Sequence, residues 1–204
     1  MIILDVEQGS EEWLQARSGI PTASCFDKII TSTGKTSTQA EAYMNKLLGE
    51  WLIGRPEDSY ASEAMQRGND LEPEARAFYE FDSDISVEQV GIVYLDEKKL
   101  IACSPDGLTK NGGLEIKCPS AGVQVSYLLK GGLPTKYKQQ VQGCMWVCGR
   151  DHWDFVAYHP DMDPVRCRVD RDEDYIISMC VSVNTFVDKM LERREKLKHH
   201  RRKS

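Results

Sequence analysis

No run of apolar residues in this sequence approaches the roughly twenty that a membrane-spanning helix needs. The opening residues, Met1-Ile2-Ile3-Leu4-Asp5, carry no basic region followed by a long apolar stretch, so they do not read as a secretory signal. No Cys-x-x-Cys pair occurs, which argues against a zinc ribbon or a redox dithiol. The seven cysteines, at 25, 103, 118, 144, 148, 167 and 180, are odd in number and scattered. They read as small buried hydrophobes in a reducing compartment. Internal repeats and low-complexity linkers are also missing. These absences describe an intracellular, cytoplasmic protein with no membrane association. Its 204 residues, 41% hydrophobic and 28% charged, suit one globular domain with a sizeable core.

Positive charge is short as well: the chain carries a net charge of -6. The shortage is uneven. Residues 192–204 hold seven Lys/Arg against two Glu, a local +5, which leaves the rest at -11. Such a body does not favour broad electrostatic wrapping of nucleic acid. It does allow a narrow basic lane beside an acidic metal site. Local chemistry therefore has to decide the function.

Ser10 before Glu11-Glu12-Trp13-Leu14 predicts a capped helix that ends at Ser18-Gly19-Ile20-Pro21. Thr22-Ala23-Ser24 starts a second helix with Phe26, Ile29 and Ile30. Residues 31–38 form a polar loop. Residues 39–54 read as a helix closing at Gly54, and 60–80 as another with Leu71, Ala75, Phe78 and Tyr79 on its apolar side. The period then changes: 87–95, 100–108 and 114–118 are strand-like, with a turn signal at Lys110-Asn111-Gly112-Gly113. Helical spacing returns over 134–149, a strand follows over 153–159, and 171–198 form a long helix with a fraying charged end. Helices flanking a short mixed sheet predict an α/β (α+β) domain.

The segment Ser104-Pro105-Asp106-Gly107 … Leu114-Glu115-Ile116-Lys117 carries the chemistry. With a two-residue turn at 111–112 or 112–113, paired residues sum to an odd number. Asp106, Glu115 and Lys117 then share one sheet face. Two hard carboxylates suit Mg²⁺ or Mn²⁺, and the Ile116 backbone carbonyl offers a third oxygen. Lys117 beside them suits orientation of a water or stabilisation of charge on a phosphate. Alone, the pattern fits an edge hairpin with an exposed Asp and a Glu/Lys surface pair equally well.

Three further segments accompany the hairpin: Trp13 to Ser24 (WLQARSGIPTAS), Arg67 to Arg76 (RGNDLEPEAR) and Tyr137 to Trp146 (YKQQVQGCMW). Together, in this order, they resemble lambda exonuclease and the related phage alkaline exonucleases of the PD-(D/E)xK superfamily. The resemblance, over roughly residues 8–160, implies a restriction-endonuclease-like core, a mixed central sheet flanked by helices. From composition the nuclease domain is taken as residues 1–191, with a flexible basic tail over 192–204 that has no counterpart in the family's motifs. The resemblance also implies metal binding, two ions per site, by Asp106 and Glu115, with Lys117 catalytic. Glu72 organises the metals, and Gln140 lies near the active centre. Arg17, Thr22 and Ser24, joined by Ser104, form a pocket for a DNA 5′-phosphate. The expected activity is 5′→3′ digestion of linear duplex DNA, leaving 3′ single strands for recombination. A ring-shaped homotrimer and a single-strand annealing recombinase are the expected partners. Arg17 offers a planar fork suited to phosphate, and Thr22 and Ser24 sit where a helix is predicted to begin. Lys35 in the polar loop is a possible approach point for DNA, and Met65 or Arg67 a possible wedge between bases. One alternative is a structure- or site-specific endonuclease of the same superfamily, against which the end-reading segment argues. Another is a non-catalytic DNA-binding or assembly protein, against which the intact Asp106, Glu115 and Lys117 argue.

Overall fold

The computed structural model describes residues 1–57 and 63–200, with only the backbone of Ala64. Ser10 caps α1 (Glu11–Arg17): its hydroxyl accepts from the Trp13 amide at 3.2 Å, and Glu11 and Glu12 fill the first turn. The next segment, Ala23–Lys28, is a 3-10 helix where the spacing predicts an α-helix, and the Thr22 side chain makes no capping bond. Its Phe26, with Ile29 and Ile30 beyond it, is nonetheless buried, so the apolar pattern is satisfied by a tighter coil. α2 (Ala40–Ile53) closes at Gly54 in the left-handed region, φ +74°, as its sequence predicts. α3 (Glu63–Ser83) carries Pro73 in its interior. The predicted start of this helix near residue 60 lies outside the described residues.

Two sheets form among the described residues. β1 (Ile2–Leu4), β2 (Ile92–Tyr94) and β3 (Ala102–Cys103) make an antiparallel trio in that order. β4 (Gly107–Leu108), β5 (Gly112–Lys117), β6 (His152–His159) and β7 (Met162–Asp170) make the second sheet. In it β5 and β6 run parallel and the other pairs antiparallel. The predicted single strand over 100–108 is thus broken. Residues 104–106 carry the chain from one sheet to the other, and Pro105, with no N–H to give a ladder, sits at the break.

The hairpin turn also differs from expectation. Gly107 pairs with Leu114 and Leu108 with Gly113. The loop is therefore four residues, 109–112, closed by the Thr109 amide donating to the Gly112 carbonyl at 3.1 Å. The register sum is still odd, so Asp106 and Glu115 keep the same face.

A parallel pair needs a long crossover, and residues 118–151 supply it as α4 (Ala121–Lys130) and α5 (Lys138–Cys148). Leu114 and Ile116 of β5 and Val156 of β6 pack on Ala75 and Tyr79 of α3. On the opposite face Phe155 and Ala157 pack with Tyr127 of α4 and Tyr137. The main core joins α2, α5 and the 3-10 segment to α6 (Glu173–Leu197). Gly143 of α5 permits this closeness: a Cβ there would stand 2.6 Å from the Phe26 ring. The boundary expected at residue 191 falls inside α6. There Arg193 donates to both Glu41 carboxylate oxygens, at 2.6 and 3.0 Å, and Arg194 donates to the Gly19 carbonyl. A 3-10 turn, Lys198–His200, follows; residues 201–204 lie outside the described residues. All seven cysteines are free thiols.

Candidate active site

Strand β4 begins only at Gly107, opposite Leu114, and leaves the upper half of β5 unpaired on that side. The Asp106 carboxylate takes the vacant place: its Oδ2 accepts from the Ile116 amide at 2.6 Å. Glu115, on the same face, is fully buried, and its Oε1 is ion-paired with the Lys117 ammonium and accepts from Gln140 Nε2 at 2.5 Å. Gln140 arrives from α5, one turn after Tyr137, whose ring lies 5.5 Å below Lys117 Nζ. On the far side, Arg76 of α3 is ion-paired with Glu72 and donates from Nε to the Asp106 carbonyl at 3.1 Å. The sheet edge, α3 and α5 thus bring Glu72, Asp106, Glu115, Lys117 and Gln140 to one place.

The electrostatics of this group are those of crowded carboxylates. Burial, reinforced by Asp106 and Glu72 but eased by Lys117, raises the Glu115 carboxyl to about 8. Burial also raises Asp106, against the pull of Lys117, and raises Glu72, with Asp106 adding to the shift. Burial alone would lower Lys117, but Glu115 and Asp106 overcome it and hold the ammonium protonated far above neutral pH.

Glu115 Oε2 is buried without a hydrogen-bond partner. An orphaned carboxylate oxygen among mutually repelling carboxylates fits a divalent cation, and the donor set is the hard oxygen type that Mg²⁺ or Mn²⁺ prefers. Among the described residues, no three Asp, Glu, His or Cys side chains already stand as a ready ligand set. Asp106 and Glu115 are in place, whereas Glu72 is engaged by Arg76.

A second group of expected residues gathers beside the first. Arg17 Nη2 donates to Thr22 Oγ1 and to Ser24 Oγ, each at 3.3 Å. The guanidinium lies 4.2 Å from the Trp13 ring centroid, and the Trp13 indole N–H donates to Ser104 Oγ at 3.0 Å. Trp13 thereby joins Arg17 to Ser104. Burial lowers the Arg17 pKa, against Cys25, Tyr43 and Glu50. Among the described residues its side chain hydrogen-bonds to hydroxyls and to no carboxylate, a setting that favours an incoming anion. Thr22 and Ser24 do not stand at an α-helix N-terminus as predicted, because that segment is a 3-10 turn. Thr22 is buried beneath Ser24 and does not line the open space.

A cleft of about 710 Å³ joins the two groups. Arg17, Ser24 and Ser104 line one part, Asp106, Ile116, Lys117 and Gln140 another, and Glu72 its wall. Met65 and Arg67 also line it, Met65 well exposed and Arg67 donating to the Pro119 carbonyl at 2.7 Å. Sequence reasoning missed three elements of this arrangement: Arg76, Trp13, and Lys136 with its two tyrosines, Tyr127 and Tyr137, at 5.6 and 4.8 Å. The first two had a signal, since each lies four residues from a partner on its helix, Glu72 and Arg17.

Residues 12–151 match the family described as the YqaJ-like viral recombinase domain. An alkaline exonuclease from Laribacter hongkongensis has a TM-score of 0.85 and 31% identity, covering 94% of this chain and 97% of that one. The same exonuclease in complex with dAMP gives a TM-score of 0.83 and 33% identity over the same shares, 94% and 97%. The uncharacterized protein R354 of Acanthamoeba polyphaga mimivirus is 29% identical over 164 residues. The match takes in 74% of this chain but only 29% of the viral protein's length. With four ordered segments, a mixed sheet flanked by helices and this breadth of likeness, the chain belongs to the YqaJ-like viral recombinase domain family, whose lambda-exonuclease-like alkaline exonuclease fold it shares.

Proposed function

We propose that this chain is a Mg²⁺-dependent exonuclease that degrades linear duplex DNA 5′→3′ from 5′-phosphorylated ends. One observation carries the proposal: a single cleft holds both the Arg17–Ser24–Ser104 group and the Asp106–Lys117–Gln140 group. A site that cuts internally has no use for a second anion pocket beside its carboxylates.

In this reading the terminal 5′-phosphate is held by the Arg17 fork and the Ser24 and Ser104 hydroxyls, with Thr22 orienting Arg17 from below. The next phosphodiester then lies against Asp106 and Lys117. Asp106 and Glu115, with the Ile116 carbonyl, would hold the cation, and Glu72 would complete the set. A divalent cation bound there makes water easier to deprotonate and offsets charge on the phosphate. Lys117 keeps its proton on Nζ and donates to a phosphate oxygen or to the attacking water. Gln140 fixes Glu115 Oε1, so that Oε2 is left for the cation. The 3′ strand left behind is the substrate of a single-strand annealing recombinase, and a ring-shaped homotrimer keeps the enzyme on its duplex. Its place of work is the cytoplasm of a bacterial or phage-infected cell.

The test is digestion of linear and covalently closed duplex with Mg²⁺ and with a chelator. The linear form is expected to yield mononucleotides only with Mg²⁺, and the circle to stay intact. Cutting of circles as fast as linear DNA would place the chain among endonucleases instead.

A further inference from the structure

Arg76 occupies an unusual position among the groups around the site. It is buried on α3, yet its guanidinium reaches two things that the cation needs fixed. One fork nitrogen, Nη2, is ion-paired with Glu72 Oε1. Nε donates to the backbone carbonyl of Asp106 at 3.1 Å. With the Gln89 amide turned so that its oxygen faces the guanidinium, Nη1 and Nη2 also donate there, at 2.7 and 3.3 Å. The donors are thus spread over three partners, on α3, on the segment before β2, and at the start of β4. A planar fork can do this; an ammonium cannot.

The consequence is geometric. Glu72 sits four residues before Arg76, on the helix that covers the opposite sheet face from Glu115. Asp106 sits at the point where the chain passes between sheets. Nothing in the β-ladder fixes one relative to the other. Arg76 does so directly, and it uses only Oε1 of Glu72. Alone, Glu72 would face Asp106 as a like charge with nothing between them.

We propose that Arg76 is a positioning residue for cation binding: it clamps Glu72 to the Asp106 segment, holding the carboxylate at the site with its second oxygen free. The inference rests on the metal-dependent reading above. Arg76 touches neither water nor phosphate in this account and acts only through Glu72 and Asp106.

Mn²⁺ binding to the whole chain, read by electron paramagnetic resonance without DNA, tests this apart from activity. Arg76→Lys keeps the charge but cannot bridge both partners, and Arg76→Met loses both. Loss of such supporting contacts costs metal affinity about 10- to 100-fold. We expect that range for Arg76→Met and a smaller loss for Arg76→Lys, with kcat at saturating Mn²⁺ changed far less than the Mn²⁺ requirement. In a Glu72→Gln background the same Arg76 substitutions should weaken Mn²⁺ binding much less, because the clamped group is gone. Melting temperatures identify any variant that fails to fold, and Arg76→Lys, the gentler change, then decides. Unchanged Mn²⁺ affinity in a folded Arg76→Lys and Arg76→Met overturns the role of Arg76. Equal losses with and without Glu72 overturn it too. If the unaltered chain binds no Mn²⁺, the metal-dependent reading falls, and the Arg76 proposal with it.

Discussion

Lys117 is held by two kinds of contact, the carboxylate of Glu115 and the ring face of Tyr137. The first keeps the ammonium charged; the second keeps it over the cleft rather than in solvent. Removing it should therefore cost catalysis more than folding. Lys117→Ala is expected to lower the cutting rate about 10²- to 10³-fold, the usual scale for one pre-placed donor at a phosphate, with DNA affinity altered only a few fold. Single-turnover rates and a binding titration check both halves, and an unchanged rate would remove Lys117 from the reaction. At this scale the sequence was legible where partners are close along the chain. Asp106, Glu115 and Lys117 converge through strand parity, which tolerated a four-residue loop in place of a two-residue one. Partners far apart were not legible: Trp13 meets Ser104 across 91 positions, and Arg76 meets the Asp106 carbonyl across 30.

Among the elements, α3 has the most to hold together, since it carries Glu72 and Arg76 while resting on the sheet through Tyr79. The Tyr79 hydroxyl donates to Asp154 Oδ2 at 2.7 Å, and Arg168 donates to both Asp154 oxygens, at 3.0 and 3.1 Å. Burial alone would raise the Asp154 carboxyl, but these bonds outweigh it and hold the group below its ordinary range. Arg168 is half-exposed, so the buried Tyr79 bond carries most of the stabilisation. Asp154→Ala should cost about 2 kcal/mol. A depressed folded-state value means that this contribution is present above the unfolded value, near 4, and is lost as pH falls through the folded one. The melting gap between the two proteins is thus expected to be full at about pH 6 and to close below about pH 4. A gap independent of pH would contradict the assignment. Elements with one strong period were legible, α2 and α6 almost to the residue. β7 was not, because Pro164 sits inside it, which a strand tolerates at a sheet edge, where β7 lies. α4 was hidden by Val123 and Val125, whose alternation suggests a strand, and by Leu128 and Leu129 left on its exposed side. The 3-10 segment shows the same apolar residues as an α-helix, so periodicity alone does not separate them.

For the molecule as a whole, net charge pointed away from nucleic acid, yet the family match and the cleft point toward it. The two agree once charge is read locally: Arg17, Lys117 and Lys136 line the cleft of an otherwise acidic body. The basic stretch from residue 192 is partly structural, since Arg193 pairs with Glu41 of α2. The helix that the sequence predicts to residue 198 runs through Leu197, so the basic stretch begins inside α6. The central claim is that one cleft reads a 5′ end and cuts beside it. The most direct test compares 5′-phosphoryl with 5′-hydroxyl linear duplex for the unaltered chain and for Arg17→Ala. The account predicts that the unaltered chain prefers the phosphorylated end and that Arg17→Ala loses the preference, by about thirtyfold for one charged hydrogen-bonding group, while retaining its slow rate on hydroxyl ends. An unaltered chain indifferent to the 5′-phosphate, or a preference that survives Arg17→Ala, would contradict it.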